Sequence, residues 1–206
     1  GPDRMYPDTD SPPISIDDDK LDAIRSGLPS DVIDRIQKME SWDIPKDTYA
    51  FILSRNLFPL LEKIISDFDE DPVFVGTLIG HNLKFIVGQS KGNPQFHSEL
   101  IYDIFTYIRE KKLEKNIIKR ILPVIFEHPN MDFDSILTTI GYKKVSKKNI
   151  LSHVKDLRDK FNDIRISKES DAEVLWVMGQ LSPLACGNMN LSELEQTIRD
   201  GSGGNS

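Results

Sequence analysis

The fold class is decided by residues 100–126, which read LIYDIFTYIREKKLEKNIIKRILPVIF. The stretch holds two isoleucine-rich runs, and in each run apolar side chains recur at intervals of three and four residues. This spacing places them on one side of an α-helix. The apolar positions are Leu100, Ile101, Ile104, Phe105 and Ile108 in the first run and Ile117, Ile118, Ile121, Leu122 and Ile125 in the second. Because a charged segment separates the runs, the stretch predicts two successive amphipathic helices.

Helical periodicity continues through almost the whole chain from Leu21 onward. Apolar spacing and the positions of proline and glycine predict further helices at 29–39, from Pro45, over 57–68, from Pro72 to 87, over 134–141, over 146–164, at roughly 170–182 and at 190–199. Ser30 and Ser146 are the predicted N-caps of their helices. The element from Pro72 is apolar on most sides, which is typical of the central helix of a bundle.

The chain divides where glycine, serine, asparagine and proline accumulate, at Gly88–Pro94. We expect one helical domain over 21–90 and a second over 95–200. The predicted fold class is therefore all-α, with two small helical bundles in series preceded by an extended segment over 1–20. Four prolines forbid a helix in that segment. Residues 201–206 contain no core-forming side chain and are expected to be disordered.

Composition and motifs argue against chemistry within this chain. Its 206 residues include one cysteine, Cys186, and four histidines scattered one to an element, so no local spacing builds a metal site. His81 is interpreted as a core histidine, and the acidic run Asp67–Asp71 as a solvated turn rather than a magnesium cluster. No phosphate-binding, dinucleotide-binding or nucleophile-elbow motif is present. We expect no catalytic residue, metal or cofactor here, and a cytoplasmic protein without a membrane partner.

The formal charge of -7 is unevenly distributed. Residues 109–168 contain 15 Lys and Arg against 8 Asp and Glu, which leaves 11 against 25 elsewhere, or net charges of +7 and -14. Two basic clusters stand out in this window. The first comprises Arg109, Lys111, Lys112, Lys115, Lys119 and Arg120, and the second Lys143, Lys144, Lys147 and Lys148. Clustered cations bind phosphates by releasing condensed counterions and need no base contacts.

These ten basic residues are the candidate RNA-binding site, with an ordinary lysine-rich helix surface as the alternative. Glu110 and Glu114 interleave with the first cluster and support that alternative. Aromatic residues are scarce nearby, with Tyr107 and Tyr142 the candidates, which disfavours stacking of single-stranded bases. Recognition of a folded RNA through its shape and backbone fits better, and DNA is not expected as a partner.

Four stretches resemble the tRNA-dependent amidotransferases, enzymes that convert misacylated Glu-tRNA(Gln) to Gln-tRNA(Gln). Residues 4–14, RMYPDTDSPPI, resemble the segment that closes the family's catalytic cradle. They look closer to the archaeal GatE type, which commonly has glutamate where Asp8 stands, than to the bacterial GatB type. Leu100–Phe126 and the segment from Asp134 to Gly141 are similar to the helix-turn-helix and short helix of the family's YqeY-like tail.

The fourth stretch, Val174–Leu194, is similar to the closing motif of that tail. Family tails usually place two or three lysines in a glycine-containing turn within this motif. Here the turn is Ser182–Gly187, SPLACG, which carries no charge. The departure removes the charges with which that turn would contact RNA.

The resemblance implies that 1–20 is the end of a preceding catalytic domain, that 21–90 is the family's helical domain and that 95–200 is its YqeY-like tail. In this family the cradle domain carries kinase and transamidase chemistry with ATP and Mg²⁺, and a partner amidase carries glutaminase activity. The chain is therefore expected not to be an enzyme by itself.

The expected function is to bind tRNA and position its misacylated end for amidation in a domain outside this chain. The alternative is a helical protein-interaction module without RNA binding. In that case the acidic first bundle or the uncharged turn would dock a partner protein of the complex.

Overall fold

A computed structural model describes Asp19, residues 31–89, Asn93, residues 95–164 and residues 171–202. All regular structure in these parts of the chain is helical, which confirms the predicted all-α class. The Ser30 cap, residues 203–206 and all of the predicted extended segment except Asp19 lie outside the described residues.

The helices of the described chain follow one another in the order that the periodicity predicts. They are α1 (Val32–Ser41), α2 (Tyr49–Ser54) after a 3₁₀ turn (Lys46–Thr48), α3 (Phe58–Phe68), α4 (Pro72–Thr77), a π-helical turn (Leu78–Leu83), α5 (Lys84–Gln89), α6 (Glu99–Lys111), a 3₁₀ turn (Lys115–Ile117), α7 (Ile118–Glu127), α8 (Phe133–Thr139), α9 (Lys147–Ile164), α10 (Ala172–Ala185) and α11 (Leu191–Ser202). None of these helices combines the length and hydropathy needed to cross a bilayer.

Short polar side chains fix several helix starts. The Ser146 hydroxyl accepts a hydrogen bond from the Asn149 amide at 3.3 Å, which confirms the predicted cap of α9. Asp71 ends the predicted acidic turn and caps α4, because its carboxylate accepts from the amides of Val73 and Phe74. No group of three potential ligands in the described chain could hold a metal ion.

Helices α6 and α7 form the centre of the larger of two apolar cores. All ten apolar positions of residues 100–126 lie in this core or pack against it. The Phe105 ring contacts those of Phe68 and Phe74, with centroids 5.6 and 6.5 Å apart. Burying a side chain of this kind stabilises the fold by about 1.5–3 kcal/mol. The two predicted helices are thus the elements around which α2 to α5 assemble.

A smaller core lies among α9, α10 and α11. Its buried members are Ile150, Val174, Val177, Leu181, Ala185, Met189, Leu194 and Ile198. Helix α10 contacts both of the other helices, because apolar side chains surround most of its circumference.

The division between the two cores does not coincide with the predicted linker. The larger core includes residues on both sides of Gly88–Pro94 and extends to Tyr142. The Asn93 side chain donates to the carbonyl of Phe126 at 2.8 Å, which ties the linker to α7. The smaller core begins at Val145. The predicted domain bounds stay a prediction, whereas the apolar packing divides the chain between Tyr142 and Val145.

The segment predicted as one central helix contains the π-helical turn Leu78–Leu83 between α4 and α5. An extra residue in one turn rotates the following residues by about 100° about the helix axis. Phe85, an apolar residue of the predicted helix, is 65% exposed. His81 is half-exposed rather than in the core, and its Nε2 lies 2.8 Å from Asp47.

A close approach between the 3₁₀ turn Lys46–Thr48 and this segment depends on glycine. A Cβ built on Gly80 would lie 2.2 Å from the Cβ of Thr48, which is fully buried. A glycine at this position therefore lets the preceding turn pack directly on the helix backbone.

We expect Gly80→Ala to destabilise the protein by about 1–3 kcal/mol, because the added methyl group must displace buried Thr48. Gly179→Ala is the matched control. Gly179 is also helical, but nothing lies within 4 Å of a Cβ added there, so alanine should stabilise by about 0.5–1 kcal/mol. Urea unfolding followed by circular dichroism measures both effects. Two variants of equal stability would contradict the close approach.

Candidate nucleic-acid interface

The ten predicted RNA-binding residues fall into two groups. Five use their charged groups inside the chain, namely Arg109, Lys111, Lys115, Arg120 and Lys147. The other five are exposed and have no ion pair or side-chain hydrogen bond within the described residues: Lys112, Lys119, Lys143, Lys144 and Lys148. A cation that already faces a carboxylate has less to gain from a phosphate, so the two groups differ as candidate phosphate contacts.

Two cations of the first cluster pack against the acidic turn after α3. Arg109 donates to the carbonyl oxygen of Asp67 at 2.9 Å and lies 4.6 Å from the centroid of the Phe68 ring. The ammonium group of Lys115 lies 2.7 Å from the Glu70 carboxylate. The side chains of this pair are only 37% and 18% exposed. These contacts hold α6 and the following turn onto α3.

A third cation, Lys111, shares Asp134 with a tyrosine. The Asp134 carboxylate accepts from the Tyr107 hydroxyl at 2.7 Å and from the Lys111 ammonium group at 3.2 Å. The hydrogen bond from Tyr107, followed by that from Lys111, holds the pKa of Asp134 below its usual value. Tyr107 is buried and stacks on Phe133, with ring centroids 4.7 Å apart. It is therefore not free to stack on a base.

The remaining two engaged cations link neighbouring helices. Arg120 of α7 donates to the carbonyl oxygen of Ile140, at the end of α8. Lys147, at the start of α9, forms an ion pair with Glu193 of α11. Both contacts stabilise helix packing.

The turn Cys186–Met189 brings the two predicted clusters together. On one side, the amide of Gly187 donates to the Asn116 side chain at 2.7 Å, within the first cluster. On the other side, the side chain of Asn188 donates to the carbonyl oxygen of Lys143 at 2.8 Å, within the second cluster. Segments that are far apart in the sequence thus lie against one turn.

The side chain of Asn188 uses all of its hydrogen-bonding capacity at this turn. Its oxygen accepts from the Tyr142 hydroxyl at 2.9 Å and from the Val145 amide at 3.0 Å. Its nitrogen donates to Lys143 and to the carbonyl of Leu184 at 2.9 Å. All four positions of the amide are occupied, and the backbone that carries Lys143 and Lys144 is fixed as a result. Tyr142 is engaged here and is not a free stacking surface.

Burial explains why the predicted turn Ser182–Gly187 carries no charge. Cys186 and Gly187 are buried, and burial raises the pKa of the Cys186 thiol. Gly187 has a φ of +79°, and a Cβ there would lie 2.7 Å from Ile117 and 2.9 Å from Tyr142. The turn packs against the chain's own residues, so its buried end offers no surface to RNA or to a partner protein.

One further lysine shares the exposed surface of α9. Lys155 follows Lys148 by seven residues, which places the two side chains on the same helical face. It is exposed and has no ion pair within the described residues. The seven-residue spacing was the signal in the sequence that could have identified it.

We expect Asn188→Ala to destabilise the protein by about 1–3 kcal/mol, because the Val145 amide and two carbonyls lose their partner. Amide hydrogen exchange at Val145 should accelerate, since its hydrogen bond is removed. Asn149→Ala is the control, because the Asn149 side chain is exposed and has no partner within the described residues. Unchanged exchange at Val145 in Asn188→Ala would contradict the role of the Asn188 amide.

We expect Tyr107→Phe to raise the pKa of Asp134 toward its ordinary value, because the hydroxyl that stabilises the carboxylate is removed. A depressed pKa stabilises the fold above the unfolded-state pKa, and that stability is lost as the pH falls through the folded-state value. The variant should therefore lose less stability on acidification. Carboxyl chemical shifts recorded against pH measure the change. Asp132, whose pKa is lowered by Ser135, is the internal control.

Comparison with known proteins finds similarity to one kind of protein, the E-type component (GatE) of glutamyl-tRNA(Gln) amidotransferases. The chain is 21% identical over 198 residues to the GatE of Methanococcus maripaludis strain C7, which covers 95% of this chain and 31% of the relative. The corresponding values are 28% over 150 residues, 71% and 24%, for Methanocaldococcus jannaschii, and 21% over 198 residues, 95% and 31%, for Sulfolobus acidocaldarius. No protein-family model and no solved structure matches.

The chain spans about a third of the length of the curated relatives that it matches most extensively. The matched part is their C-terminal region. The resemblance predicted from the sequence is confirmed: over nearly its whole length, this chain resembles the C-terminal region of GatE, the E-type component of glutamyl-tRNA(Gln) amidotransferases.

Proposed function

We propose that this chain binds tRNA through its phosphate backbone and positions misacylated tRNA for amidation in a catalytic domain outside the chain. The observation that carries the proposal is the turn Cys186–Met189, which holds two exposed basic segments side by side. Similarity to proteins named as components of glutamyl-tRNA(Gln) amidotransferases supports the substrate and the reaction.

The phosphate contacts are assigned to the lysines without an internal partner. Lys143, Lys144 and Lys148 follow one another at the start of α9, and all three side chains are exposed. Lys112 lies at the end of α6, two residues before Glu114, whose amide donates to the carbonyl of Gly187 at 3.0 Å. Both segments therefore adjoin the turn. An ammonium group is a point charge on a flexible stem, so these contacts orient RNA without selecting a base.

The five engaged cations have a different role in this proposal. They hold α6, α7 and α9 against their neighbours and so keep the surface that carries the free lysines in place. The proposal assigns no cofactor to this chain. ATP and Mg²⁺ are assigned to the catalytic domain, and an amidase is the proposed protein partner.

We expect the triple variant Lys143→Gln, Lys144→Gln, Lys148→Gln to bind unfractionated tRNA more weakly than the parent chain. Each phosphate contact lowers log K by about 0.9 for each decade of salt, because bound lysines release counterions. The salt slope of the variant should therefore fall by about one unit for each lysine–phosphate pair that the substitutions remove. Electrophoretic mobility shifts at several salt concentrations measure both quantities.

The control variant removes three cations outside the basic window, Lys46, Arg55 and Lys63, by changing each to Gln. It alters the net charge by the same amount, so a loss of affinity in this variant alone would overturn the assignment. A parent chain that does not shift tRNA would reject RNA binding and favour the protein-interaction module. Affinity that stays flat from low to moderate salt would also reject the proposal.

A further inference from the structure

Phe85 is exposed where the rest of its helix is packed. It is 65% exposed, and it is the one aromatic side chain among the large exposed apolar residues of the described chain. It lies on α5, directly after the π-helical turn Leu78–Leu83. Such turns interrupt helices at functional sites more often than elsewhere.

Two hollows flank the Phe85 ring, with volumes of about 410 and 650 Å³. Both are lined by Phe85, Asn82 and Gln89. The first continues onto α7, where Lys119 lines it. The second continues along α5 to Lys84. The aromatic ring therefore stands between two open spaces of a size that small ligands occupy.

The groups around the ring are those that a nucleotide uses. An exposed aromatic face stacks on a base of any kind. The amides of Asn82 and Gln89 each offer a donor and an acceptor to a base edge. The ammonium group of Lys119 has no partner within the described residues and can meet a phosphate. Glu127 also lines the first hollow, and its carboxylate can accept from an exocyclic amino group but repels a phosphate.

Charge and polarity select this occupant over an apolar protein surface. Leu175, which is 66% exposed on α10, illustrates a solitary apolar side chain outside both hollows. The Phe85 ring instead has amides beside it and the ammonium group of Lys119 across the first hollow. A partner built of apolar side chains would leave these polar groups without hydrogen bonds, which costs binding free energy.

We infer that Phe85 stacks on one unpaired base of the bound RNA, with Lys119 contacting the adjoining phosphate. The inference rests on the proposed tRNA binding and adds a base contact to it. Backbone contacts by Lys143, Lys144 and Lys148 are open to paired and unpaired RNA alike. The Phe85 contact requires a base that has left its helix, such as one in a tRNA loop.

The test compares two RNA probes, unfractionated tRNA and a blunt-ended, fully paired RNA duplex. Phe85→Ala should weaken tRNA binding by about 5- to 150-fold, the range for loss of one stacked base. Binding of the duplex should stay unchanged, since it presents no unpaired base. Phe85→Trp should retain tRNA binding, and its introduced indole should be quenched when tRNA is added.

Leu175→Ala and Leu175→Trp are the matched controls, because Leu175 is equally exposed on another surface. They should leave the affinity for tRNA unchanged, and the indole at that position should not be quenched. Equal tRNA affinity of Phe85→Ala and the parent, or equal loss for tRNA and duplex, overturns the stacking contact alone. Failure of the parent to bind either probe overturns the proposed function and this inference with it.

Discussion

The amide of Asn188 accepts from Tyr142 and Val145 and donates to Lys143 and Leu184. Each of these partners would be left unsatisfied if the turn moved. The next residue back, Gly187, completes the joint through its backbone contacts with Glu114 and Asn116. Because the turn touches both apolar cores, the relative position of the basic segments depends on a few hydrogen bonds at one place.

The electrostatic character of the surface follows from that arrangement and from pairing across it. The window 109–168 has a net charge of +7, but two of its lysines are balanced by carboxylates from outside it. Glu70 pairs with Lys115, and Glu193 pairs with Lys147. The window is therefore less basic as a surface than as a sequence. The cations that remain available adjoin the turn or, like Lys119, line the hollow beside Phe85.

Much of the fold was predictable because it is local. The two amphipathic helices within residues 100–126 and the Ser146 cap depend on neighbours within a few residues, and both are confirmed. Where the apolar cores divide was not predictable from composition. Gly88–Pro94 has the residues of a linker, yet the larger core includes residues on both sides of it, since core membership is set by contacts between distant elements.

The sequence by itself determined the all-α class, the resemblance to GatE and the set of ten cations. Those depend on periodicity, motif order and composition, which are properties of the chain alone. The tertiary structure decided which five cations are engaged, that the uncharged turn is buried, and that Phe85 faces outward. An ion pair such as Lys115 with Glu70 joins residues 45 positions apart, and no local pattern records that distance. Packing alone determines which charges remain free.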